Sequence, residues 1–503
     1  MGLSYPNGLT FTTSGGGSSV VAISDPLTLL EIGDSYMANG TLVNPTYNIY
    51  AAGLPAGGAN PCVLQIAAHT LTTGDQVFIK MVKGMTEINE ITATITVVDS
   101  THISLDGIDS TAYTAYVSGG HVMKITGTQT IYNKSYFSHA NALLGNRMNT
   151  PIKNNRGIIG NTGADVTGRL THDLPSALGA NIGYIHFATN DITAGRTNVQ
   201  ILADLATTRD YLLNTLGLKY VVMFTPPPRD ADTAGQKQQK VDLVPLMMAL
   251  ETDNVVVVDC YTPLADPSTR SFKSGYSADG VHVNSLGGQV ANIAIADALR
   301  PVFGVKTFTL ESTNILEYTG FSGTGGSVGG GITNNGCAAE LTVVVSSGTA
   351  GYRTLSKDSD GKQLFVFDAT SGVGASQATA FYQTETAGWA VGEWWQAEFE
   401  VELVSESGAG VLNSLTVDLR NNASALATSH GPASGDGAIN KTLLAAQCAN
   451  RPLIIRSPAA KIPTGSTSLA ARLNISYDTT SGAVNDTWKL HNYQLFKVSD
   501  PYA

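Results

Sequence analysis

Three short segments, far apart in the chain, carry the residue types of acyl transfer. Leu29-Leu30-Glu31-Ile32-Gly33-Asp34-Ser35 runs an apolar strand straight into a serine, and Phe187-Ala188-Thr189-Asn190-Asp191 again follows an apolar segment. Asp279-Gly280-Val281-His282 places an acid and a base three residues apart, just before a helix-like run. An unassisted serine hydroxyl is a poor nucleophile, so a neighbouring imidazole has to take its proton. His282 is the candidate base and Ser35 the candidate nucleophile. Asp279 is the candidate for holding the imidazole in one tautomer and stabilising its charged form. A tetrahedral intermediate also needs donors aimed at its oxyanion. The Ser35 backbone N–H, the Asn190 amide and a glycine N–H from residues 160–165 are suitable.

Other polar residues have plainer readings. Asp34 and Asp191 read as turn and structural residues. His69, His102, His121, His139, His172 and His186 have no acidic partner at a short fixed spacing and read as ordinary polar or core histidines. Thr225-Pro226-Pro227-Pro228-Arg229 follows an apolar strand candidate; its prolines stiffen a loop on the rim of the site, and Arg229 is a possible substrate contact. No His, Cys, Asp or Glu cluster has metal-ligand spacing, so the chemistry is expected to need neither metal nor cofactor.

Open α/β sheets place their sites at the carboxyl ends of their strands. The sequence offers such a sheet. Apolar strand candidates recur at 182–187, 220–224 and 255–258, separated by helical stretches at 197–216, 236–250 and 286–299, with a further helix expected over 136–148. This alternation predicts an α/β fold with a parallel sheet covered on both faces, spanning 27–304. It is interrupted from 60 to 126, where Ile91, Ala93, Ile95 and Val97 alternate with threonines at period two, the pattern of a small all-β insert. Residues 1–26 read as a glycine-rich arm or linker. The stretch 320–336 holds eight glycines in seventeen residues and reads as a hinge. From 305 to 503 the pattern is β only: Ala397, Phe399, Val401 and Leu403 alternate with polar residues, as do Leu415, Val417 and Leu419. This predicts a separately folding C-terminal β-sandwich, jelly-roll-like in architecture.

The composition of the 503 residues excludes several partners. A net charge of −11 with only 14% charged residues gives no basic stripe for nucleic acid or anionic lipid. No run reaches the length of a membrane span, and the N-terminus lacks the pattern of a signal peptide. The four cysteines are scattered and read as buried thiols, consistent with synthesis in a reducing compartment.

The order of Ser35, Asn190 and the Asp279/His282 pair resembles the SGNH (GDSL-type) serine hydrolases over roughly 27–302. By that resemblance Gly163 matches the family's oxyanion glycine, Gly160 the loop glycine before it, and Asn190 the family asparagine. Tyr36 stands where leucine is usual, and Ala188 where glycine is. The insert, with His69-Thr70-Leu71-Thr72-Thr73-Gly74-Asp75 and Lys83-Gly84-Met85-Thr86-Glu87, looks like a small β module that recurs in bacteriophage tail and tailspike proteins. The C-terminal region, with Trp389, Trp394 and Trp395, resembles carbohydrate-binding or receptor-binding modules of such proteins, although a sandwich core also takes its tryptophans. Together these resemblances imply a carbohydrate esterase that removes O-acetyl groups from a bacterial surface polysaccharide. They place it in a phage tail fibre or tailspike, made in the host cytoplasm, carried on the virion and acting at the cell surface, as a homotrimer among other phage tail proteins. Two other readings stand beside this one: an esterase or lipase of the same fold acting on small esters, and a receptor-binding tail protein with a vestigial hydrolase domain.

Overall fold

The computed structural model describes residues 27–501, apart from 39–41, 44–45, 54–58, 126–128, 132–135, 317–318, 322, 350, 423, 431–438, 450 and 481. The expected arm at 1–26 lies outside the described residues. Leu27–Gly33 is the nucleophile strand of a six-stranded parallel sheet. Met148–Asn149 and Asn155–Gly157 flank it on one side. Ile182–His186, Tyr220–Phe224 and Val255–Val258 follow in that order on the other. These last three strands are buried along their whole length, as near-continuous apolar runs in a doubly covered parallel sheet must be. The helix expected over 136–148 is shorter, Ser138–Leu143. Gly145 and Asn146 follow at positive φ, 75° and 55°, which ends it and frees Met148–Asn149 to pair beside Leu27–Thr28.

The insert is a closed six-stranded barrel with its own apolar core. It opens at Thr46 rather than near residue 60, because Thr46–Ala52 pairs with both Cys62–Ile66 and Ser118–Lys124 to close the ring. Only Ile49 and Ala52 of that strand are buried, so it carries too little alternation to read from sequence. The barrel sits against the nucleophile side of the sheet. Buried Lys80 donates to the Asn155 carbonyl, Glu90 pairs with buried Arg156, and His172 Nε2 meets the Val82 carbonyl at 2.7 Å. Burial, with the Arg156 charge adding to it, pulls the Lys80 ammonium down to about 7.

Beyond Phe303 the described residues build two strand-rich, mostly antiparallel sheets, supplying all seven strands of one and six of the eight strands of the other. The sheets meet face to face through Phe365 and Phe381 (5.0 Å between rings), Phe367 stacked on Tyr477 (4.7 Å), and a Trp488 Nε1–H to Tyr477 hydroxyl bond of 2.6 Å. Trp395 and Trp488 are buried in this core, and Trp394, also buried, lies outside it on the opposite face of the same strand. The glycine-rich stretch is not a bare hinge: Ser327–Val328 and Ile332–Asn334 are edge strands, one on each sheet.

The expectation of separate folding is corrected by the packing. One continuous apolar cluster runs from Leu27, Leu144 and Leu299 of the catalytic part to Leu444, Leu453 and Leu495. His139 meets Gln447 at 3.1 Å, and Gln289 and Asn440 exchange two hydrogen bonds. The insert's two legs, Leu42–Val43 and Gln129–Ile131, pair with each other, and the second leg continues the eight-stranded sheet beside Ser424–His430. All four cysteines are buried free thiols. Among the described residues no helix is long and apolar enough to cross a membrane.

Candidate active site

Gly33 ends the nucleophile strand where the chain must pass the neighbouring strand at its closest. A Cβ on Gly33 would sit 1.9 Å from the His186 carbonyl oxygen, so no other residue fits. Asp34 then starts the helical turn Ser35–Ala38. Its carbonyl accepts from the Met37 and Ala38 N–H groups, and its carboxylate accepts from the Tyr36 N–H at 3.0 Å. Ser35 is thereby fixed at the mouth of a short helix, 9% exposed.

His282 Nε2 lies 2.9 Å from Ser35 Oγ, and its Nδ1 lies 2.8 Å from Asp279 Oδ2. The other Asp279 oxygen accepts from the backbone N–H groups of Val281 and His282 at 2.9 and 2.7 Å. Burial works to raise the Asp279 carboxyl, but the bonds from the His282 ring and from these two N–H groups outweigh it. They hold the carboxyl well below the usual carboxylate range. The geometry assigns the Nδ1 proton of His282 to the side facing Asp279, leaving Nε2 to accept from the serine. Asn284 caps the helix Ser285–Phe303 two residues later, anchoring the loop from behind. Ser277 Oγ donates to the His282 carbonyl, and Asp230 N–H donates to the Gly280 carbonyl, tying the loop to the strand-following segment that carries Arg229.

One expected role moves. The N–H of Gly163 points away from any oxyanion position, because it donates to both oxygens of buried Asp191, at 2.9 and 3.0 Å. Gly163 opens a capped helix, Gly163–Thr167, and its N–H serves the turn that Asp191 holds. Gly160 lies in the preceding loop at φ 84°, with open space where a side chain would be. Asn190 reaches that loop, its Nδ2 donating to the Asn161 carbonyl at 3.0 Å. Arg169 braces the same loop: it bonds to Asn161 Oδ1 and to the carbonyls of Arg156 and Gly33. Arg229 donates to Thr193 on the helix Thr189–Thr193, three residues past Asn190, and lies 3.8 Å from Asp232. Ala188 takes φ 96°, a left-handed conformation that costs a non-glycine residue on the order of 1 kcal/mol.

Sequence reading missed two buried side chains beneath the serine. His186 Nδ1 meets Asp34 Oδ1 at 3.0 Å, both fully buried. Its partner is 152 residues away, and only the parallel pairing of Gly33 with His186 brings them together. The Tyr36 ring stacks on His186 at 4.5 Å and lies 5.3 Å from the His282 ring, and its hydroxyl donates to the Val281 carbonyl. The departure from leucine at this position was the visible signal. Among the described residues no group of three His, Cys, Asp or Glu side chains is placed to hold a metal ion.

A model of the GDSL-like lipase/acylhydrolase family matches residues 113–290, and one of the FCCH domain of ubiquitin-activating enzyme E1 matches 62–126, within the barrel. The first match starts within the insert, before its last strand, and so omits Ser35. No curated protein matches the chain. Similar solved structures include a GDSL-like lipase from Bacteroides thetaiotaomicron (17% identity, covering 33% of this chain and 80% of that one, TM-score 0.27). Another is a GDSL-family lipolytic protein from Veillonella parvula (20%, 34% and 88%, TM-score 0.27). A third is a catalytic mutant of an acetylxylan esterase from Geobacillus stearothermophilus (15%, 57% and 98%, TM-score 0.30). The α/β part of the chain carries a GDSL-like lipase/acylhydrolase domain with the SGNH hydrolase fold.

Proposed function

We propose that this chain is a serine carboxylic-ester hydrolase that removes O-acetyl groups from a bacterial surface polysaccharide. The observation that carries the hydrolase reading is the unbroken chain from Ser35 Oγ through His282 to Asp279. His282 Nε2 takes the Ser35 proton as Oγ attacks the acetyl carbonyl. The oxyanion is met by the Ser35 N–H, the Gly160 N–H and the Asn190 side-chain amide. The Ser35 and Gly160 N–H groups have no acceptor among the described residues. His282 then protonates the departing sugar oxygen, the ester bond breaks, and acetyl-Ser35 remains. Water, deprotonated by the same imidazole, releases acetate and restores Ser35. Asp279 stays ionised throughout.

A bulky alcohol fits this site better than a long acyl chain. The His282 and Asp279 side chains are 37% and 55% exposed, so the triad stands at the surface rather than down an apolar tunnel. That openness favours a polymer-borne ester over lipase action, and the complete hydrogen-bond chain speaks against a vestigial domain. Placement in a homotrimeric phage tail fibre or tailspike, with other tail proteins as partners and the bacterial surface as the site of action, rests on the resemblance of the two β domains to tail-protein modules. The finer reading of the C-terminal sheets as a jelly-roll-like sandwich that binds carbohydrate or supports assembly belongs to the same proposal.

The test is acetate release from a panel of acetylated bacterial polysaccharides and from a chromogenic acetate ester. Ser35→Ala is expected to cut the rate by several orders of magnitude while leaving the fold intact, and EDTA to leave the wild-type rate unchanged. Mutant activity within tenfold of wild type overturns the assignment.

A further inference from the structure

A cavity of about 460 Å³ opens where the catalytic part meets the C-terminal sheets. It lies at the opposite edge of the parallel sheet from the triad. Met148 and Asn149 line it and pair with Leu27 and Thr28 at the start of the nucleophile strand. At 3.3 Å per residue that is about 25 Å from Ser35. No step of the proposed reaction uses it.

Its walls are built rather than incidental. From the catalytic side come Asn146 and Thr150, 8% and 9% exposed, and from the C-terminal side Gln396 and Arg456. Three of these four are locked by a bond on their far side. Asn146 Oδ1 accepts from Asn141, and Gln396 Nε2 donates to the Ser457 carbonyl. Arg456 is held by Glu398 and lies 5.4 Å over the Phe496 ring. Each keeps a polar atom that bonds to nothing among the described residues: the Asn146 amide nitrogen, the Gln396 carbonyl oxygen, one Arg456 Nη. The Thr150 hydroxyl likewise has no partner. Donors and acceptors held in fixed rotamers are what a preorganised polar site requires.

The charges narrow the ligand. All three lining cations are already partnered: Arg456 with Glu398, Lys497 with Glu393 at 2.6 Å, and Lys306 with Glu311 at 3.8 Å. No cation is left over for a phosphate or sulfate. The unpaired amide, carbonyl and hydroxyl groups equally disfavour an acyl chain. We propose that this cleft is a saccharide subsite that binds an uncharged, hydroxyl-rich oligosaccharide and tethers polymer about 25 Å from the nucleophile. Its role rests on the polysaccharide reading above. Tethering raises the local concentration of target esters at Ser35.

The experiment uses the full-length chain and saturation-transfer NMR with three probes: cellohexaose, xylohexaose and N-acetylated chitohexaose. At least one is expected to bind, with the signal falling fivefold or more in Gln396→Ala and in Thr150→Phe, which removes a hydroxyl and crowds the wall of the cleft. Both variants keep the wild-type rate on a small acetate ester. Absence of binding by all three probes, or binding undiminished in Gln396→Ala, overturns the subsite. Because Gln396→Ala only removes atoms, it stays informative if Thr150→Phe fails to fold. A wild-type chain that binds none of the probes yet hydrolyses small esters refutes the subsite alone, and bound hexasaccharide on a wild-type chain inert toward small esters refutes the hydrolase reading alone.

Discussion

Tyr36→Phe isolates a single hydroxyl. In the native chain that hydroxyl donates to the carbonyl of Val281, the residue before the general base, while the ring lies between His186 and His282. Phenylalanine keeps the ring and removes only the donor. A hydrogen bond of this kind contributes about 1 kcal/mol net, and the carbonyl left behind is half-buried and open to partial rescue by water. His282 keeps its bonds to Asp279 and Ser277, so the loop loosens rather than collapses. If the whole loss appears as misorientation of the imidazole, kcat/KM falls ~5-fold, carried by kcat, because the ground-state contacts of substrate are untouched. Tyr36→Leu, which installs the residue usual in the resembling family, also removes the ring from between two histidines. It is expected to cost ~2–4 kcal/mol in stability and more in kcat. The assay is steady-state hydrolysis of a chromogenic acetate ester beside a thermal melt for each variant. A Tyr36→Phe enzyme indistinguishable from wild type in kcat would show that the hydroxyl does not hold the base in place.

Three further outcomes follow from the geometry. Ala188→Gly relieves a left-handed alanine in the turn before Asn190 and is expected to raise stability by about 0.5–1 kcal/mol, read as a higher denaturation midpoint with unchanged activity. Burial pulls the His139 imidazole down to about 4, against the opposing bond to Gln447. The unfolded chain, with an imidazole near 6.5, therefore binds the extra proton first. Stability is full above about pH 6.5 and declines as pH falls toward 4, by up to about 3 kcal/mol from this group; His139→Gln should flatten the slope of melting temperature against pH in that window. A chain truncated after residue 304 keeps every triad residue but exposes the face of Ser138–Leu143 and half of a shared core. It is expected to aggregate or to lose activity on small esters, and a soluble truncation with wild-type activity would show that the shared core is dispensable.

The triad was legible because each member follows a strand or precedes a helix whose apolar pattern is strong: Leu27–Gly33 before Ser35, Ser285–Phe303 after His282. Local pattern also gave the parallel sheet, and the alternation at Ala397–Leu403 and Leu415–Leu419 gave the C-terminal strands. What escaped were relations between distant segments. Gly163 and Gly160 are equivalent as letters, and only the Asp191 carboxylate, brought up from the next strand's end, decides which N–H is free. The Asp34–His186 pair exists only through strand register, and the first barrel strand has two inward residues, too few to mark a period. The C-terminal boundary was drawn from a change of pattern, but a change of pattern marks a change of secondary structure and not the end of a core.

The sheet that runs on from Ser424–His430 into the insert's leg at Gln129–Ile131 sets the order in which this molecule can be completed on the ribosome. That leg emerges early, while the strand that covers it is made hundreds of residues later. At translation rates on the order of 5–20 residues per second, the leg's edge stays open for roughly 15–60 s. Open edges recruit other strands, and closing a pair over so long a span is slow. A nascent chain therefore carries its nucleophile, oxyanion loop and general base well before the scaffold around them closes. Ester hydrolysis should appear only after the last sheet is sealed, so activity in a synchronised translation reaction reports the moment of chain completion.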